Sequence, residues 1–143
     1  MKRRDFLARA SVLGGALWAG QAQALAEGGQ LRGAISVWDS WKAAFLQSDG
    51  RVVDMLQQQA SHSEGQGYGM LAATLFEDEA AFRLMLSWTE RHLAIRPDPL
   101  LAWRWLPGQA NPVPDRNNAS DGDLFFAWAL VRAAAQFQQH AYL

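Results

Sequence analysis

The segment Glu77 to Leu93, EDEAAFRLMLSWTERHL, constrains the fold more than any other. Phe82, Met85, Leu86, Trp88 or Thr89, and Leu93 recur at the spacing of one helical face. Acidic residues open the segment, Arg91 and His92 lie near its end, and Pro97-Asp98-Pro99 stops it. A helix with a single apolar stripe must bury that stripe against another element. The sequence offers further helices for this purpose. Ile35 to Leu46 places Ile35, Trp38, Trp41 or Lys42, and Phe45 on one stripe, ending at Ser48-Asp49-Gly50. A helix is expected from Ser63 through Tyr68, Met70, Leu71 and Ala72 to about Phe76, with Ser63 as N-cap and Gln66 at capping-box spacing. An Ala-rich helix is expected from Ala119 to the end of the chain. Extended signals are minor: Arg51 to Met55, and the short apolar run Leu100 to Leu106. With no repeat or low-complexity tract, the expected class is all-α.

Composition narrows the functions open to such a chain. Half of the 143 residues are hydrophobic and 19% are charged, which excludes a disordered polyelectrolyte. The absence of cysteine excludes disulfide scaffolds, thiolate zinc sites and cysteine nucleophiles. A formal net charge of −1 argues against nucleic acid as a partner.

Residues 1–26, MKRRDFLARASVLGGALWAGQAQALA, read as a secretory signal peptide. Lys2, Arg3, Arg4 and Arg9 form the basic part, Ala10 to Ala19 is apolar, and Ala24-Leu25-Ala26 is a small-x-small cleavage site. The apolar run is too short to span a membrane, so no stable membrane anchor is expected after cleavage. Arg3-Arg4-Asp5-Phe6-Leu7 resembles a twin-arginine signal; an ordinary basic segment with an adjacent Arg pair is the alternative. Either reading places the product in the periplasm or outside a bacterial cell. The segment holds four of the thirteen basic residues and one of the fourteen acidic ones. Nine basic against thirteen acidic residues then remain, a net charge near −4.

Two motifs concentrate the chemistry. In Ser61-His62-Ser63-Glu64-Gly65-Gln66-Gly67-Tyr68-Gly69-Met70, three glycines weaken a helix start by about 1 kcal/mol each. Such a local penalty suggests a close backbone approach, a ligand being one candidate, with Glu64 accessible among small residues. Equally, Glu64 suits a helix N-terminus capped by Ser61 or Ser63. The second motif, Asp115-Arg116-Asn117-Asn118-Ala119-Ser120-Asp121-Gly122-Asp123, brings carboxylates to the start of the last helix. They suit a metal, a sugar hydroxyl or acid–base chemistry, or simply a polar loop with Ser120 or Asp121 as cap. As a metal site it lacks EF-hand or histidine spacing. His62, His92 and His140 share no ligand spacing.

Seven tryptophans are many for this length, and six lie beyond residue 26. Trp41 and Trp88 sit on helical stripes and read as core. Trp103-Arg104-Trp105 lies beside loops, and one of its two rings suits stacking on the face of a pyranose.

These segments together resemble glycoside hydrolase family 8, the endoglucanases and related β-1,4-glycanases. The resemblance is carried, in order, by WDSWKAAFLQSDGRVVD, SEGQGYGM, LAWRW and ASDGD, and it covers nearly everything after residue 26. It is strongest to the branch that accompanies bacterial cellulose synthase. Phe126 departs from the Ile or Met usual after ASDGD, an apolar exchange.

The resemblance implies an (α/α)6 barrel and hydrolysis of internal β-1,4 bonds with inversion. Glu64 falls on the family's general acid, which has to stay protonated near neutral pH to protonate the leaving oxygen. Asp121 falls on the second catalytic carboxylate. Tyr68, Trp103, Trp105, Asn118 and Asp123 are the expected substrate-binding residues. The implied partner is a β-1,4-glucan chain, cellulose or a related polysaccharide, with a functional association with cellulose synthesis. No metal or other cofactor is implied, since two carboxylates and water suffice. The family's catalytic module is more than twice the 117 residues that follow position 26. Residues 27–143 are therefore expected to be the N-terminal part of that module. In some members the inverting base lies further on, so an inactive remnant, glucan-binding or non-functional, is the alternative expectation.

Overall fold

The computed structural model describes residues 29–143 apart from Leu31. The expected export signal, residues 1–26, lies outside the described residues. The chain divides into two compact units, Met1–Val37 and Trp38–Leu143. In the first, residues 32–37 are helical.

The second unit is mostly helical. It comprises α1 (38–45), α2 (Ser63–Leu75), α3 (Glu79–His92) and α4 (Ser120–Gln136), with a short 3-10 turn at His140–Tyr142. Two strands of two residues each, β1 (Ser61–His62) and β2 (Arg104–Trp105), pair antiparallel, Ser61 with Trp105 and His62 with Arg104. Single bridges join Leu46 to Val52 and Asp54 to Ala60, so the expected extended run at 51–55 exists only as two contact points.

The main core lies between the helices. Met70 and Ala73 of α2, Phe82 and Met85 of α3, and Ala129 and Ala133 of α4 are all buried together with Trp38. Each large apolar side chain so buried contributes about 1.5–3 kcal/mol before entropy is counted. Trp38 stacks between Trp41 and Phe76, at ring separations of 5.2 and 5.5 Å. Trp88, Leu93 and Leu101 form a second cluster against Trp105 and Phe126.

α3 follows its sequence signals closely. Asp78 caps it, its carboxylate accepting from the Ala81 N–H, while Arg91 and His92 occupy the last turn. α2 begins at Ser63 as expected but is capped differently. His62 is the N-cap and makes no side-chain cap bond, and the Ser63 hydroxyl is buried without a partner. Gln66 does not reach back to close a capping box. Its carboxamide is fully buried, accepts from the Val52 N–H, and donates to the Gly50 carbonyl and to Thr89 Oγ1 at 2.8 Å. It thus fastens the 50–52 segment and α3 onto α2.

α4 corrects two further expectations. Neither Ser120 nor Asp121 caps it; Ala119 is the N-cap. The helix stops at Gln136 rather than at the chain's last residue, and Gln138 takes a left-handed φ of 54°. That turn carries Phe137 and Tyr142 onto Phe82, at ring separations of 5.7 and 5.1 Å. Aromatic burial outweighs the Ala-rich preference for more helix.

Candidate active site

Two of the three glycines of the first motif, Gly67 and Gly69, bring helices together, while Gly65 lines open space. A Cβ on Gly67 would lie 2.8 Å from Phe125 Cβ and 3.0 Å from the Phe126 nitrogen. α2 and α4 therefore cross at Gly67, and Gly69 makes room in the same way for Trp41 and Met85. The close approaches at Gly67 and Gly69 are to protein. Gly122 completes the arrangement, since a Cβ there would overlap the Ser63 hydroxyl and fall 2.9 Å from the Glu64 nitrogen. The first turns of α2 and α4 stand against each other there.

A cleft of about 340 Å³ opens beside this junction. Its walls are Val52, Val53, Asp54 and Gln57 from the segment after α1, His62 to Gly65 and Tyr68 from the start of α2, and Trp103 and Ala119. Glu64 is half-buried in the first turn of α2, and Tyr68 lies one turn further along the same face. Interaction with the nearby Glu64 carboxylate, then burial and the charge of Asp121, push the Tyr68 phenol above its usual 10.0. The Tyr68 ring rests on Phe125 at 4.3 Å.

Trp103 is held at every polar point. Its carbonyl accepts from the Ser63 N–H at 2.9 Å and its N–H donates to the Asn117 carbonyl at 2.8 Å. Its indole N–H donates to Asp115 at 2.9 Å. Bonds from the Asn117 N–H and from that indole hold the Asp115 carboxyl below its usual 3.8. The Arg104 guanidinium lies 4.4 Å from the Trp103 ring centre, and His62 stacks at 5.8 Å. Burial pushes the His62 imidazole below 6.5 against the pull of Asp54 and Glu64, with Arg104 acting in the same sense as burial. His62 is thus neutral near pH 7.

The structure gathers some expected site residues and separates others. Glu64, Tyr68 and Trp103 share the cleft. Asp121 is exposed beside it, near enough to Tyr68 to act on it electrostatically. Asp123 is engaged elsewhere, accepting from the Leu101 N–H at 2.9 Å and from Asn118 Nδ2 at 2.8 Å. Asn118 and Asp123 thereby fasten the 100–118 loop to α4. Trp105 turns away from the cleft; its ring meets Trp88 edge-on at 5.7 Å and carries Arg51 at 5.1 Å. Asp54, Gln57 and His62 line the cleft without having been singled out as site residues. They sit in a polar, aperiodic stretch, and only closeness in sequence to Glu64 could have pointed to them. Among the described residues no cluster of His, Asp or Glu is placed to hold a metal ion.

Comparison with known proteins gives this geometry a lineage. A "Probable endoglucanase" of Novacetimonas hansenii is 48% identical over 106 residues, covering 74% of this chain and 31% of that protein. An "Endoglucanase" of Cellulomonas uda is 40% identical over 109 residues, covering 76% of this chain and 30% of its own length. Among solved structures, the endo-β-1,4-glucanase CMCax of Acetobacter xylinum superposes with a TM-score of 0.73 at 47% identity. That match covers 76% of this chain and 34% of the enzyme. The chain thus spans about a third of the length of the relatives it matches. Its helices correspond to part of their (α/α)6 barrel. Residues 13–143 match the family model of "Glycosyl hydrolases family 8", and with the fold in agreement, the chain belongs to that family.

Proposed function

We propose that the protein carrying this chain cuts internal β-1,4-glucosidic bonds of a cellulose-type glucan with inversion. Glu64 is the proton donor and Asp121 the second catalytic carboxylate. The observation that carries this reading is the position of Glu64. It stands in the first turn of α2, in the wall of an open cleft, with Tyr68 one turn further along the same face and the start of α4 against its backbone. The endoglucanases to which the chain is similar supply the substrate class.

In this mechanism a glucan lies in the cleft with one ring against Trp103. Glu64 gives its proton to the glycosidic oxygen as the bond to the anomeric carbon breaks. A water attacks the opposite face of the oxocarbenium-like carbon and loses its proton to a carboxylate base. Tyr68 orients Glu64 from one turn away. Export by residues 1–26 to the periplasm or medium, and a functional association with cellulose synthesis, belong to the same proposal.

The test is reducing-end release from carboxymethylcellulose by the protein carrying this chain, compared with Glu64→Gln. The expected loss is about 10²–10⁴-fold, the usual contribution of a positioned general acid. Equal activity in the two proteins would remove Glu64 from the chemistry. Glucan binding without hydrolysis in the unmodified protein would favour the glucan-binding remnant instead.

A further inference from the structure

Two polar residues of the cleft, Asp54 and Gln57, have no part in the chemistry proposed above. The Asp54 carboxylate is already occupied. Its Oδ1 accepts from the Leu56 N–H at 2.9 Å and the Gln57 N–H at 3.2 Å, and its Oδ2 accepts from Gln57 Nε2 at 2.9 Å. Asp54 is therefore the anchor, and the Gln57 carboxamide is the group it holds up. A primary amide anchored through one N–H retains a second N–H donor and a carbonyl acceptor. Neighbouring equatorial hydroxyls of a pyranose match that pair, one accepting and one donating.

The loop that carries Gln57 is fixed rather than slack. The Asp54 N–H donates to the Ala60 carbonyl at 2.8 Å, and Arg51 Nη1 donates to the Gln59 carbonyl at 2.7 Å. Gln58 and Gln59 both hold left-handed φ values, 58° and 56°. Such consecutive non-glycine residues persist only where surrounding bonds dictate the turn. The turn sets the exposed Gln57 at the cleft, one segment away from Glu64.

We infer that Gln57, braced by Asp54, is a specificity-determining residue that binds a hydroxyl pair of a glucosyl unit seated in the Glu64 cleft. This rests on the reading of that cleft as a glucan site. Gln57→Ala and Gln57→Met are compared with the unmodified protein on carboxymethylcellulose, and cellopentaose binding is followed by titration calorimetry. Both variants should raise KM and the cellopentaose Kd about three- to tenfold, the range for one or two neutral hydrogen bonds. They should leave kcat within about twofold and the unfolding temperature unchanged. Asp54→Ala, acting through Gln57, should raise KM in the same sense, with no further rise in the double variant. A KM and Kd within twofold of the unmodified values in Gln57→Ala would overturn the inference. An effect in Gln57→Ala that Gln57→Met abolishes would also overturn it, because side-chain bulk would then be the cause. Hydrolysis failing while cellopentaose still binds through Gln57 would overturn the proposed activity and sustain this one.

Discussion

Gly122 shows how much of the site depends on a missing side chain. The first turns of α2 and α4 meet there, and the Ser63 Cβ and the Glu64 backbone nitrogen, which leave no space, cannot rotate aside. Gly122→Ala is expected to lower stability by about 1–3 kcal/mol, as overpacking does. Hydrolysis should fall further than that loss explains, because Glu64 has to move; a thermal melt beside an activity assay separates the two effects. Gly65→Ala is the contrast, since its nearest neighbour is Val52 at 3.6 Å, and its stability should hold or rise. At this scale the sequence was partly legible. Glycines spaced through a helix start signal a close approach, yet nothing local distinguishes a ligand from a helix 57 positions away. Gln66 was misread for the same reason: capping-box spacing is local, whereas its partners Val52, Gly50 and Thr89 are brought to it only by the fold.

Among the elements, α3 was the most legible because its apolar spacing, charge order and proline stop agree. Its cap also joins it to α1. Besides accepting from Ala81, the Asp78 carboxylate accepts from Lys42 Nζ at 2.8 Å and Trp38 Nε1 at 3.1 Å. Burial pushes this carboxyl up, but the bonds from Lys42, Ala81 and Trp38 together hold it below the usual 3.8. A depressed carboxyl stabilises the fold above its unfolded-state value, and that stability is lost as pH falls through the lower, folded-state value. The unfolding temperature should therefore drop as pH falls below about 4. Asp78→Asn should be less stable at pH 7 and show a shallower acid decline, measured by thermal melts from pH 7 to pH 3. An equally steep decline in the variant would assign the effect to other carboxylates. The end of α4 and the paired strands were not legible. No breaker interrupts AWALVRAAAQ, and two-residue strands are too short to show a period.

For the molecule as a whole, the outer face of α4 governs behaviour in solution. Leu124, Trp128 and Val131 are spaced along one stripe and are 70, 53 and 58% exposed. Contiguous apolar surface of this kind associates in water. The 143-residue chain should bind anilinonaphthalene sulfonate and sediment faster with concentration, and Trp128→Lys with Val131→Lys should reduce both. Unchanged dye binding and sedimentation in that double variant would place the sticky surface elsewhere. The fold class and the cleft residues Glu64, Tyr68 and Trp103 were readable because they belong to continuous motifs. Asp54, Gln57 and the turned-away Trp105 were not, since their positions depend on pairings between distant segments. The bracing of Trp103 has one more consequence. Its backbone is tied to both Ser63 and Asn117, so the cleft exists only once segments spread over 67 positions, from Val52 to Ala119, have docked. Partly folded states therefore lack an intact binding surface, and any saccharide seated there draws the population toward the fully folded unit by mass action. Protection of slowly exchanging amides on addition of a sugar should spread through α2, α3 and α4 alike.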